Sequence, residues 1–245
     1  MKTVSLKINN EDILFNFREN SEGDIGVIKQ IFLNQDYDVS NWVQGRKLLS
    51  YHNEQSKKQP SLIVDAGANI GASVVYFHKI YQDSFIFSVE PDYSNWQILE
   101  RNTKGLNGIN FNGAISGLDG ELEIIDPGRS DWGFMTKSVS EVSEKGTVRT
   151  VKSISPNTIL SNTLTKNMTP LIMKIDIEGG EDDLFKVETN WLDLFALIII
   201  ELHDWMLPFS GSSKNFLKAV SDYEFDLVYK GENLFLFNRK ILQNF

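Results

Sequence analysis

The sequence predicts an α/β protein with a mostly parallel, seven-stranded sheet that ends in an antiparallel hairpin, preceded by a small hairpin-and-helix appendage. Three observations predict it. Leu62–Ala66, Leu171–Ile177 and Ala196–Leu202 are short, nearly continuous apolar runs, the pattern of strands buried on both sheet faces. Segments with helical spacing alternate with such runs, which argues for parallel strands joined by crossover helices. Finally, Phe225–Tyr229 and Leu234–Phe237 are separated only by a tight polar connection containing Gly231, which suits a hairpin.

Taken in order, Val4–Ile8 and Ile13–Phe17 alternate apolar and polar residues around a polar turn and predict a first hairpin. Ile25, Ile28, Ile31 and Phe32 recur at helical spacing, predicting a helix over Asp24–Leu33 with an acidic N-cap. The polar stretch His52–Ser61 then reads as a boundary. It divides the chain into an appendage, residues 1–58, and a main domain, residues 59–245.

In the main domain, strand Leu62–Ala66 precedes helix Ile70–Tyr81, and strand Phe85–Val89 precedes helix Asp92–Lys104. Ile109–Ile115 reads as a weaker strand. Leu122–Ile125 and Val148–Val151 flank a long polar insertion, and Ser155–Leu160 is a short helix with proline at its first position. Leu171–Ile177 leads into a helix from about Glu181, and Ala196–Leu202 into one around Lys214–Tyr223.

Bulk properties narrow the function. The 245 residues are 41% hydrophobic and 23% charged, as for an ordinary globular domain. A net charge of −9 disfavours nucleic acid as a partner. With no cysteine, disulfides and thiolate metal sites are excluded. The N-terminus reaches Glu11 and Asp12 before any long apolar run, unlike a signal peptide, and the run Leu194–Ile200 is too short for a bilayer. A cytoplasmic protein without membrane partners is expected.

The chemistry gathers at predicted strand ends, where open α/β sheets bind ligands. Val64–Gly71 reads V-D-A-G-A-N-I-G, a strand ending in Asp65 and a glycine turn opening a helix. Gly67 and Gly71 permit a tight turn and close approach of a ligand, beside Ala68 and Asn69. The G-x-N-x-G spacing departs from the dinucleotide pattern, and Asp65 is a poor neighbour for pyrophosphate but a good acceptor for an ammonium group. Glu90, followed by Pro91, ends the next strand about twenty residues on, where a carboxylate can accept from both ribose hydroxyls. Asn112, Gly113 and Ala114 end the third strand and can line an adenine edge.

Two further strand ends carry candidates for proton transfer. In Met173–Glu181, Asp176 and Glu178 precede a Gly-Gly turn, with Lys174 placed to pair with Asp176. His203 follows the next strand and has the intrinsic proton affinity of a general base. His203 and Asp176 are therefore the catalytic candidates. No clustered metal-ligand spacing appears, and no metal is required, although the carboxylates could recruit one. Arg129–Phe134, in the insertion, reads as a loop for substrate contact.

With these residues in place, the chain resembles the FkbM-type methyltransferases. The matching segments are VDAGANIG (Val64–Gly71), VEP (Val89–Pro91), NGAI (Asn112–Ile115) and KIDIEGGE (Lys174–Glu181), with a similar lead-in over Phe17–Asp38. The resemblance implies the Rossmann-like class I methyltransferase fold. It also implies S-adenosylmethionine as methyl donor, S-adenosylhomocysteine as product, and methylation of a hydroxyl on a sugar or small-molecule natural product. By position, Asp65, Gly67, Asn69 and Gly71 would form the methionine-side turn, and Glu90 the ribose acid. A non-catalytic S-adenosylmethionine-binding module and a nicotinamide-dependent oxidoreductase stay open as alternatives. Neither the acceptor nor the oligomeric state can be named from these residues.

Overall fold

The computed structural model describes residues 1–9, 11–125, 135–138, 148–206 and 208–245. The chain begins with the antiparallel pair β1 (Lys2–Ile8) and β2 (Glu11–Phe17), then α1 (Glu22–Ile28), a π-helical turn over Lys29–Leu33, and α2 (Val43–Gln55). Alternating units follow: β3 (Ser61–Ala66), α3 (Ala72–Ile80), β4 (Phe85–Glu90), α4 (Tyr93–Asn102) and β5 (Gly108–Asn112). Next come β6 (Ala114–Ile115), β7 (Gly120–Ile125), β8 (Met135–Ser138), β9 (Val148–Ile154) and α5 (Pro156–Ser161). The last part runs β10 (Thr169–Ile175), α6 (Glu181–Leu184), a 3-10 turn over Thr189–Leu194, β11 (Leu197–Glu201), α7 (Lys214–Val220), β12 (Phe225–Lys230), β13 (Asn233–Asn238) and α8 (Arg239–Leu242).

The main sheet has seven strands, as expected, in the order β12-β13-β11-β10-β3-β4-β5. Six run in one direction, and β13 alone in this sheet runs the other way, antiparallel to both β11 and β12. Side-chain alternation divides the core in two. Leu62, Val64, Met173, Ile175, Ile198 and Ile200 face one cluster with Trp191 and Phe216. Ile63, Ile172 and Ile199 face the other, which they share with Phe15, Phe32, Tyr37 and Leu48 of the first 58 residues. The N-terminal elements are thus bound to the sheet through a common hydrophobic core.

The stretch His52–Ser61 begins inside α2, and His52, 2% exposed, bonds Ser61 Oγ and the carbonyl of Gln82. Few apolar residues mark α2 in the sequence, so its helical face is defined by what it packs on. The acidic N-cap expected at Asp24 is corrected: Ser21 is the cap, its hydroxyl accepting from the Asp24 N–H. Buried Asp24 instead holds the Arg18 guanidinium, whose Nη2 also donates to Asn95 at 2.7 Å. Arg18 thereby fastens the hairpin to both α1 and α4.

The expected strand Ile109–Ile115 is broken at Gly113. β5 belongs to the main sheet, whereas β6 joins a second, four-stranded sheet of order β6-β9-β7-β8. A Cβ at Gly113 would lie 2.3 Å from the Phe111 ring and 2.5 Å from the Lys152 carbonyl, so the crossing requires glycine. β8 was not expected from the sequence. Arg129–Phe134 lies outside the described residues.

Candidate active site

The C-terminal ends of β3, β10 and β11 converge under α1 and the π-helical turn, enclosing a cavity of about 930 Å³. This is the usual size and place for a ligand pocket in an open parallel sheet. Its floor includes Gly67, Asn69, Lys174, Asp176, Glu178, Glu201 and His203, and its roof Glu22, Gln30 and Tyr37.

Sheet register creates the floor. Asp65 and Lys174 are direct partners between β3 and β10, on the face that carries Ile63 and Ile172 deeper in the sheet. Lys174 Nζ lies 3.2 Å from Asp65 Oδ1 and donates to the Gly67 carbonyl at 2.7 Å. Burial opposes its charge most strongly, yet Asp65, Tyr37 and Asp176 together outweigh burial and hold the ammonium well above its ordinary proton affinity. Ser73 donates to Asp65 Oδ2 at 2.5 Å. Asp65, 0% exposed, therefore organises the turn from below.

The glycine turn passes directly over the end of β10. Gly67 has φ +80°, and a Cβ there would lie 1.7 Å from the Asp176 carbonyl oxygen. The N–H groups of Gly67 and Ala68 both donate to the Val89 carbonyl at 3.0 Å. Asn69 has φ +49°, and its N–H donates to Glu90 Oε2 at 2.8 Å. Gly71, at φ +89°, starts α3 against Leu99.

Glu90 is 5% exposed, and its other oxygen accepts from the Asp92 N–H at 2.9 Å. Burial pushes its carboxyl up to about 7, against the pull of these two N–H donors. A folded-state value above the ordinary 4.5 means that its stabilising contribution is fully present below about pH 4.5 and is lost as pH rises through about 7. Over that window the wild type is expected to lose about 2–3 kcal/mol relative to Glu90→Gln. Urea denaturation of both proteins from pH 4.5 to 8 checks this. Parallel pH profiles would refute it.

The third expected segment is less directed at a ligand. Asn112 Nδ2 and the Gly113 N–H both bond the Glu90 carbonyl, and Ala114 is buried in β6. The carbonyl of Pro91 accepts from Arg149 at 2.8 Å. These residues brace the end of β4.

The catalytic candidates do meet. His203, 2% exposed, places Nδ1 2.6 Å from Glu181 Oε1. Its Nε2 lies 3.7 Å from Asp176, 3.6 Å from Glu178 and 3.5 Å from Glu201. Burial alone would lower the imidazole's proton affinity. Contacts with Glu181 and Glu201, and the charge of Asp176, overcome burial and push it up to about 11. Held as imidazolium, His203 has no free lone pair with which to take a proton at neutral pH. Glu178, at φ +52°, is pushed up to about 7 by burial and then by Asp176. Burial and neighbouring carboxylates raise Glu201 as well.

Sequence reasoning did not single out Glu201, Glu181 or Tyr37. Glu201 stands two residues before His203 and shares its strand-end position, a signal present in the sequence. Glu181 reads there only as a helix start, and Tyr37 enters the site only through tertiary packing.

The model for the Methyltransferase FkbM domain matches residues 65–238. The chain belongs to the FkbM methyltransferase family. Membership makes it an S-adenosylmethionine-dependent methyltransferase. Solved structures give more distant likenesses. Precorrin-6y C5,15-methyltransferase from Geobacter metallireducens is 8% identical with a TM-score of 0.37, over 83% of this chain and 92% of that one. Human methyltransferase-like protein 13, solved with S-adenosylhomocysteine, is 15% identical with a TM-score of 0.41, over 80% and 78%. A methyltransferase from Geobacter sulfurreducens is 15% identical with a TM-score of 0.36, over 90% and 91%. No curated protein matches. The family match alone carries the assignment. No helix among the described residues is long and apolar enough to cross a membrane.

The site's chemistry fits the donor. S-adenosylmethionine carries sulfonium and ammonium charges, and among the described residues the cavity is lined by six acidic side chains, Asp176, Glu178 and Glu201 among them, against the basic Lys174 and His203. Asn69 Oδ1, buried at the turn, has no hydrogen-bond partner among the described residues and can accept from an ammonium group.

Proposed function

We propose that this FkbM methyltransferase methylates a hydroxyl oxygen of a sugar or another small molecule, and that it acts in the cytoplasm. The carboxylate-lined floor at the ends of β10 and β11 carries the reading, since a neutral hydroxyl must lose a proton as it is methylated. Bound S-adenosylmethionine supplies an electrophilic methyl group on its sulfonium.

The chain's own residues do the rest. Asn69 and the turn at Gly67 and Gly71 hold the methionine end, and Glu90 takes the ribose. Glu201 accepts the hydroxyl proton, while Asp176 and His203 align the acceptor. Residues 1–58 cover the sheet end and exclude water, with Glu22, Gln30 and Tyr37 lining the roof. The net charge of −9 favours a small acceptor over nucleic acid.

The test has two stages. S-adenosylhomocysteine at about one hundred times its Kd is expected to raise Tm by roughly 5–10 °C, whereas NAD is expected to leave it unchanged. Methyl-labelled donor is then supplied with a panel of hydroxylated sugars and small molecules. Label on oxygen supports the reading. Label on nitrogen or carbon overturns the O-methyl assignment, and donor binding without turnover across the panel favours a non-catalytic binding module. Stabilisation by NAD instead would mean a nicotinamide enzyme.

A further inference from the structure

We infer that Asp176, Glu178 and His203 hold a divalent cation of the Mn²⁺ or Mg²⁺ kind, with Glu181 fixing the histidine. One ligand atom from each of the three lies within 4.8 Å of the others. They come from two adjacent strand ends, 27 positions apart at the widest span, so no local spacing announces them.

Two observations separate this set from an ordinary cluster of acids. The first is the orientation of His203. His203 is 2% exposed, and a 2.6 Å bond from Nδ1 to Glu181 leaves Nε2 pointing at the carboxylates of Glu201, Glu178 and Asp176, at 3.5, 3.6 and 3.7 Å. A carboxylate on one ring nitrogen, with the other nitrogen turned toward a ligand set, is the arrangement that orients metal-bound histidines. The second is an excess of acceptors. Glu181 is 0% exposed, and its Oε2 has no hydrogen-bond partner among the described residues.

The distances also suit a cation. Nε2 stands 3.6 Å from Glu178 and 3.7 Å from Asp176, too long for hydrogen bonds. Neighbouring ligands around an octahedral cation with bonds of about 2.1 Å are roughly 3 Å apart. The Asp176 and Glu178 side chains are 28% and 26% exposed, so burial does not lock either in place, and Asp176 also has Lys174 Nζ at 3.6 Å. One imidazole among carboxylates favours Mn²⁺ among hard cations. The cation takes the place of the proton otherwise held on Nε2.

The cation's catalytic role rests on the methyl-transfer reading. With three ligand positions left, it binds the acceptor oxygen and lowers that hydroxyl's proton affinity. The proton passes to Glu201 as the new carbon–oxygen bond forms. The carbon–sulfur bond breaks, and its electron pair stays on sulfur as the neutral thioether.

The experiment titrates MnCl₂ into the full chain, with and without saturating S-adenosylhomocysteine. Bound Mn²⁺ is read by loss of the free-ion electron paramagnetic resonance signal. One Mn²⁺ per chain is expected, weakened at least tenfold by Glu178→Gln. Glu181→Gln, which removes only the charge behind His203, is expected to weaken it about 10–100-fold. Both variants are compared at equal retention of S-adenosylhomocysteine binding, which shows that they are folded. No uptake at about 1 mM Mn²⁺, or equal uptake by wild type and Glu178→Gln, overturns the site. Donor binding is read in the same samples, so its failure would count against the proposed function and leave the Mn²⁺ result to be judged alone.

Discussion

Replacing Lys174 with methionine is expected to cost about 3–5 kcal/mol of folding stability, because it leaves a carboxylate buried with no cation beside it. Asp65 is 0% exposed, and its Oδ1 has Lys174 at 3.2 Å and no hydrogen-bond donor among the described residues. Only Ser73 reaches the other oxygen. The same substitution removes the 2.7 Å bond from Lys174 to the Gly67 carbonyl, which holds the glycine turn. Urea denaturation at neutral pH measures the loss. Adding Asp65→Asn is expected to recover a large part of it, since removing both charges is far less costly than removing one. A loss below about 1 kcal/mol for Lys174→Met would show that the pair does not support the fold.

The second large effect is kinetic. Glu201→Gln is expected to lower kcat by about 100-fold or more while S-adenosylhomocysteine affinity stays within about threefold. Glu201 lines the cavity, and its raised proton affinity suits removal of a hydroxyl proton. His203 is poorly suited to that task, because the surrounding carboxylates hold its own proton to about 11. Steady-state kinetics with any acceptor found by the labelling screen decides it. A kcat unchanged by Glu201→Gln would remove it as the base.

The contrast between Glu201 and His203 shows how far a site can be read along a chain. Histidine at a strand end has the right intrinsic chemistry for a base. Its behaviour here depends on Asp176, Glu178, Glu181 and Glu201, which reach it from separate segments. A side chain's intrinsic pKa is local, but the field around it is not. Asp65 offers the same lesson. As a carboxylate beside a glycine turn it reads as an acceptor for an ammonium group, directly or through water, and β-sheet register adds what the chain does not show, its pairing with Lys174 beneath the turn.

The order of strands and helices, the C-terminal hairpin and the glycine turn at Val64–Gly71 were determined by the sequence itself. Apolar runs, helical spacing and glycine requirements are local properties, and the backbone answers to them locally. Tertiary structure decided the break at Gly113, the helix α2 and the shared core that binds residues 1–58 to the sheet. It also assembled Asp176, Glu178, Glu201 and His203 under Tyr37. These outcomes depend on which strands become neighbours and on burial between distant segments, and both are settled only when the sheet closes against its covering elements.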